Sequence, residues 1–165
     1  MVAAMKLGHR RRLFKLARFL DALPRRRFDF ARWVGKQWKG KPDLSCGTTA
    51  CALGWACAMP EFQKLGAGML PVRDYDYRVV GACLTWKGTN DEMRVSENLF
   101  GLTPEEHCRL FVPGAESAGY SGLPHDATPA QVAENIRIFL KDRKTKSKPK
   151  ARSHGGVRES KGSRA

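Results

Sequence analysis

The sequence predicts a mainly α fold: a compact bundle of about five helices, with room for one short β-hairpin and a disordered basic C-terminal tail. Three observations carry this prediction. Apolar residues recur at helical spacing in several segments, two segments open on a capping-box signature, and the stretch 49–59 contains no charged residue.

In chain order, Leu13, Leu16, Ala17, Leu20 and Leu23 recur every three or four residues and predict a first helix over 8–23, stopped by Pro24. Its polar face is rich in arginine. A second helix is expected over 29–38, turning Phe30, Trp33, Val34 and Trp38 inward and ended by Gly40, Lys41 and Pro42. The uncharged 49–59 segment would be apolar on every side as a helix, which places it in the middle of the fold. Thr48 or Thr49 is positioned to cap it, Ala50 and Gly54 are spaced to let a neighbour approach, and Pro60 follows its end. Between 66 and 88 the pattern changes to Tyr75, Tyr77, Val79, Val80, Leu84 and Trp86, a short two-stranded or irregular section. Helical signals return at Asn90 or Asp91, continue through Met93, Val95, Leu99 and Phe100, and close at Gly101. Thr103, Pro104 and Glu106 then form an N-cap, an N1 proline and a capping box. Thr128, Pro129 and Gln131 repeat that arrangement before Val132, Ala133, Ile136, Phe139 and Leu140, and 113–127 between them reads as a long surface loop.

A length of 165 residues fits one domain with flexible ends. The expected organisation is a flexible N-terminus over 1–7, a helical core over 8–140 and a basic tail over 141–165. The tail is too rich in Lys, Arg, Ser and Gly to bury the apolar surface that would offset its ordering entropy. Charge is segregated in the same way. The chain carries 30 Lys and Arg against 16 Asp and Glu, a net charge of +14. Residues 1–40 hold 12 basic and 2 acidic side chains and residues 141–165 hold 10 and 2, so the ends carry +10 and +8 and the middle −4.

The basic, amphipathic start over 1–24 has the look of an organellar transit peptide or a membrane-surface helix. Serine is absent from it, however, and Leu13, Phe14, Leu16, Leu20 and Leu23 are assigned to the core. No run of about 18 apolar residues is present. The five cysteines, Cys46, Cys51, Cys57, Cys83 and Cys108, are an odd set with no secretory leader before them, which predicts a reducing, cytoplasmic setting.

The most distinctive string runs Cys46, Gly47, Thr48, Thr49, Ala50, Cys51, Ala52, Leu53, Gly54, Trp55, Ala56, Cys57. Together with Leu99 to Leu102, Leu110, Phe111, Thr128, Pro129, Gln131 and Val132 it resembles small uncharacterised proteins of bacteria and their phages that share a Cys-Gly-Thr-x-x-Cys-x-x-Gly core. The resemblance covers roughly 13–140. It implies a bacterial or phage origin and a compact helical core, and it names no activity.

Cys46 and Cys51 bracket an expected helix start, where unpaired amides can lower a thiol pKa. Their spacing is not the two-residue redox spacing, and Trp55 with its alanine neighbours marks the helix as buried, so inert core thiols are expected. Cys46, Cys51, His107 and Cys108 are ligands of types that zinc accepts, but adjacent His107 and Cys108 diverge by about 100° on a helix. No metal and no cofactor is expected. His107 is assigned to a polar face, with Cys108 packed beneath. Asp74 and Asp76 would share one face if 73–78 is extended, as on a solvated edge strand neutralised by Arg73 and Arg78. Glu105 and Glu106 are explained by capping. The sequence has no phosphate-cradling glycine loop, no paired metalloprotease histidines and no serine elbow.

The basic ends therefore carry the functional expectation. Arg10, Arg11, Arg12, Lys15 and Arg18 line the first helix, and Arg25, Arg26 and Arg27 follow its terminating proline. Lys141, Arg143, Lys144, Lys146, Lys148, Lys150 and Arg152 continue the charge from the last helix into the tail. Clusters of this kind suit phosphate contacts that set affinity without reading bases. The chain is thus expected to be a non-enzymatic, nucleic-acid-associated accessory protein, binding DNA or RNA largely independently of sequence. The alternative is a protein-interaction or regulatory module with an acidic protein partner; a thiol-redox or metal-dependent enzyme comes third.

Overall fold

The computed structural model describes residues 5–35, 38–39, 44, 47–114 and 121–146. Helix α1 spans Leu7–Ala22 and buries Leu13, Leu16, Ala17 and Leu20, the helical stripe expected of it. At Leu23 the backbone turns extended, its amide bonds the Leu20 carbonyl, and Pro24 follows. Helix α6, Pro129–Lys146, packs along α1. It opens on the predicted capping box: Thr128 Oγ1 accepts from the Gln131 amide (3.2 Å) and Gln131 Oε1 from the Thr128 amide (2.8 Å). The pairing is antiparallel, since Arg10 reaches the Leu140 carbonyl, Asp21 pairs with Arg137, and Arg25 reaches the Asp126 carbonyl. The helix continues six residues past Leu140, so the basic stretch begins as helix, and 147–165 lies outside the described residues.

The second helix expected over 29–38 does not form in its described part. Its backbone groups are taken by another segment. The Asp29 amide bonds the Ala50 carbonyl, the Gly35 amide the Thr49 carbonyl, and the Cys51 amide the Arg32 carbonyl. Ala50 bridges Phe28 on one side and Val34 on the other. Apolar spacing could not distinguish these alternatives, because Phe30, Val34 and Trp38 are buried, and Trp33 partly so, as the expected helix would have placed them. The clasp leads into helix α2, Ala52–Ala58, in which every residue is buried, as the absence of charge requires.

Pro60 begins the short helix α3, Pro60–Gln63. The chain then forms strands β1, Ala67–Arg73, and β2, Val79–Trp86, paired antiparallel, with β3, Thr89–Asn90, on the far side of β2. Among the described residues the fold is therefore helices plus a small three-stranded antiparallel sheet, in which the short hairpin expected between 66 and 88 gains the brief third strand β3. Met69 and Leu84 face each other across the hairpin and enter the core. At its tip the chain turns, so the condition of an extended 73–78 is not met. Asp74 Oδ1 accepts from the amides of Asp76 and Arg78 at 2.9 Å each, and Tyr77 takes a left-handed conformation (φ 59°). The Asp74 carboxylate is thereby committed to its own turn.

Helix α4, Glu92–Phe100, is capped by Asp91 through the Arg94 amide and closed by left-handed Gly101. Helix α5, Pro104–Phe111, opens on the predicted Thr103–Glu106 capping box. His107 is buried rather than on a polar face, while Cys108 is the more exposed of the two. Its ring contacts Trp33 and Phe111, and Nδ1 lies 2.9 Å from Ser96 Oγ. Because the Ser96 hydroxyl donates to the Met93 carbonyl, its oxygen accepts from the His107 Nδ1–H. Burial holds the His107 pKa below its ordinary value, opposed only by Glu92. The unfolded chain therefore takes up this proton first as pH falls, so stability is full above about pH 6.5 and declines as pH drops toward the folded-state pKa. His9, also held low, adds in the same sense. We expect the melting temperature to fall between about pH 7 and pH 5.5 and His107→Phe to flatten part of that slope; an unchanged slope in the variant would remove His107 as its source.

Candidate nucleic-acid interface

The antiparallel packing of α1 on α6 brings the two basic ends of the sequence together. The Arg10 guanidinium donates to the Leu140 carbonyl at 2.8 Å, with exposed Arg11 and Lys141 beside that contact in the chain. His9 lies against Gly101 at the end of α4. Partial burial and then the nearby charges of Arg12, Lys6 and Arg143 hold its pKa below the ordinary histidine value. Cations more than 130 residues apart in sequence thus share one region.

Many of the expected phosphate contacts are, however, committed to the fold. Arg12 donates to the carbonyls of Asn98 and Leu99 (3.2 and 2.6 Å), satisfying the last turn of α4 where the helix dipole favours a cation. Arg25 bonds the carbonyls of Phe28 and Asp126. Arg27 bonds those of Thr48 and Leu44 (3.1 and 2.6 Å) and lies 5.1 Å from the Trp55 ring centroid. Arg143 pairs with Glu106 at 3.2 Å, largely out of solvent. Arg11, Arg18, Arg26 and Lys141 are exposed, and among the described residues nothing engages their charges. Lys144 and Lys146 belong to the end of α6 by their backbone, whereas Lys148, Lys150 and Arg152 lie outside the described residues. Composition could not separate these classes, because an arginine that caps carbonyls and one that faces solvent look alike in a charge count.

The structure also adds residues to this surface. Phe14, assigned to the core from its sequence, is 39% exposed. It lines a groove between α1 and the α2–α3 junction with Arg11, Lys15, Arg18, Met59 and Pro60. Lys15 reaches Glu61 across the groove at 2.6 Å, and this hydrogen bond is the first cause holding the Glu61 carboxyl below its usual pKa. The signal was present in the sequence: Phe14 lies off the Leu13, Leu16, Leu20 stripe, and its neighbours three and four residues away include Arg10, Arg11 and Arg18.

Several residues of the cysteine-rich string have a structural account. Gly47 is left-handed (φ 83°), and the buried Thr48 hydroxyl donates to the Gly35 carbonyl at 3.3 Å. Ala50 fills the clasp, and a Cβ at Gly54 would overlap the Trp33 carbonyl oxygen. The cap of α2 is Cys51 rather than a threonine, its Sγ accepting from the Gly54 amide at 3.4 Å. Cys46 lies outside the described residues.

The chain matches no protein family, no curated protein and no solved structure.

Burial pushes the Cys51 thiol up to about 12 and raises Cys57 as well, the reverse of what a nucleophilic or redox thiol requires. Among the described residues no three His, Cys, Asp or Glu side chains converge as a metal site, and Cys51, His107 and Cys108 do not come together. Nor, among those residues, is any helix long and apolar enough to cross a membrane.

Proposed function

We propose that this chain is a non-enzymatic, nucleic-acid-associated accessory protein that holds phosphates through its basic ends without reading base sequence. The observation that carries this reading is the meeting of the N-terminal and C-terminal basic segments where α1 packs on α6, with Arg11, Arg18 and Lys141 left exposed. Convergent cations on a body of opposite net charge attract a polyanion and release its counterions. A cytoplasmic setting belongs to the same proposal and is supported by the free thiols of Cys51, Cys57, Cys83 and Cys108. An origin in bacteria or their phages rests on the cysteine-string resemblance.

The test is binding of the full chain to labelled duplex and single-stranded probes over a salt series. We expect a log–log slope near about −5 on duplex, and Arg11→Gln with Arg18→Gln should flatten it by about 2. These two are preferable to Arg10, Arg12, Arg25 or Arg27, whose loss would also strip hydrogen bonds from the core. Absence of binding to both probes in low salt would overturn the proposal. A protein partner is the second reading. It is favoured by the hairpin, where Leu70, Val72, Tyr75, Tyr77 and Val80 are all exposed.

A further inference from the structure

Phe14 stands within a cationic helix face, and one side of its ring is already occupied. The Arg10 guanidinium carbon lies 5.1 Å from the ring centroid. Next to the ring, Met59 and Pro60 give the groove an apolar wall, and the groove is open to solvent, with a volume of about 760 Å³. Arg11 and Arg18 flank Phe14 on the same helix, about 10 Å apart along its axis at 1.5 Å per residue. The carboxylate of Glu61 is held by Lys15, so its charge is neutralised locally rather than turned toward an arriving anion.

Building on the phosphate-binding proposal above, we infer that this groove takes single-stranded nucleic acid, one base stacking on Phe14 while neighbouring phosphates meet Arg11 and Arg18. The chemistry separates a strand from a duplex. A duplex keeps its bases paired and turns phosphates outward, and a phenyl ring offers a phosphate nothing. An unpaired base has a π-face that stacks on an aromatic side chain whatever its identity, which keeps binding sequence-tolerant. Apolar wall, ring and flanking guanidiniums thus match the alternating base and phosphate of a strand, and three arginines around the ring disfavour a purely apolar occupant.

The experiment compares the full chain with Phe14→Ala, Phe14→Trp and the Arg11→Gln, Arg18→Gln double variant. Probes are a labelled oligothymidine, a duplex of equal length, an abasic strand and an acidic peptide. Phe14→Ala is expected to weaken oligothymidine binding about tenfold and duplex binding less than about twofold, while Phe14→Trp retains the strand affinity. Against salt, Phe14→Ala should lower the oligothymidine line without changing its slope, whereas the arginine variant should flatten it. Equal losses on strand and duplex, or wild-type binding of the abasic strand as tight as that of oligothymidine, would overturn the inference and leave the phosphate-binding proposal standing. Phe14-dependent capture of the acidic peptide as tight as that of the strand would assign the groove to a protein partner and also overturn it. Failure of the wild type to bind any nucleic-acid probe would remove both readings. Melting curves matched to wild type establish that each variant is folded; since Phe14 is partly exposed, Phe14→Trp provides a second, shape-retaining reading if Phe14→Ala is unstable.

Discussion

Replacing Gly54 by Ala should destabilise the protein by about 3 kcal/mol, at the upper end of what one added methyl costs in a packed interior. The added Cβ would overlap the Trp33 carbonyl oxygen and sit 3.1 Å from the Ala50 Cβ. The obstructing atom is backbone, so no rotamer change relieves the contact. Either the 29–35 segment lifts off α2, or α2 shifts within a wholly buried setting. Lifting the segment would strain the bonds that join Asp29 to Ala50, Gly35 to Thr49 and Cys51 to Arg32. The internal control is Gly81→Ala on β2, where an added Cβ meets nothing within 4 Å and which should change stability by no more than about 0.5 kcal/mol. Urea midpoints of the two variants measure the difference. A Gly54→Ala variant as stable as Gly81→Ala would mean that the clasp does not approach α2 this closely.

The same region shows what a single sequence conveys. Where an element is closed by local chemistry, the sequence is explicit: Thr103 with Glu106, Thr128 with Gln131, and Gly101 after Phe100 each form the predicted terminus, since the partners lie within a few residues. The central position of 49–59 was legible for a related reason, because a chargeless helix has only one place to go. The 29–38 segment was not legible. Its buried aromatics satisfy a helix pattern, while the amides of Asp29 and Gly35 and the carbonyl of Arg32 bond residues 50, 49 and 51, a non-local choice that periodicity does not encode. The candidate site divides in the same way. That the ends are basic was evident, but which arginines remain available depends on carbonyls distant in sequence: those of Asn98 and Leu99 for Arg12, and Asp126 for Arg25.

Neighbouring Arg26 and Arg27 offer the sharpest separation of the two roles. Arg27→Gln should cost about 2 to 3 kcal/mol, because it removes charged hydrogen bonds to the Thr48 and Leu44 carbonyls and the guanidinium lying over Trp55. Trp55 is itself tied to this position, its indole N–H donating to the Arg27 carbonyl at 3.0 Å, so the loss falls on the wall of the core beside α2. Arg26 is exposed and bonded to nothing among the described residues, so Arg26→Gln should alter stability by no more than about 0.5 kcal/mol. The binding readout inverts this order. If Arg26 contacts a phosphate, its loss flattens the salt slope on duplex by about 0.9, whereas folded Arg27→Gln keeps the wild-type slope because its charge already belongs to two carbonyls. Thermal melts and salt titrations on both variants suffice. An Arg27→Gln protein that melts like wild type yet loses salt dependence would place Arg27 on the phosphate side, and the division between fold-committed and available arginines would have to be redrawn.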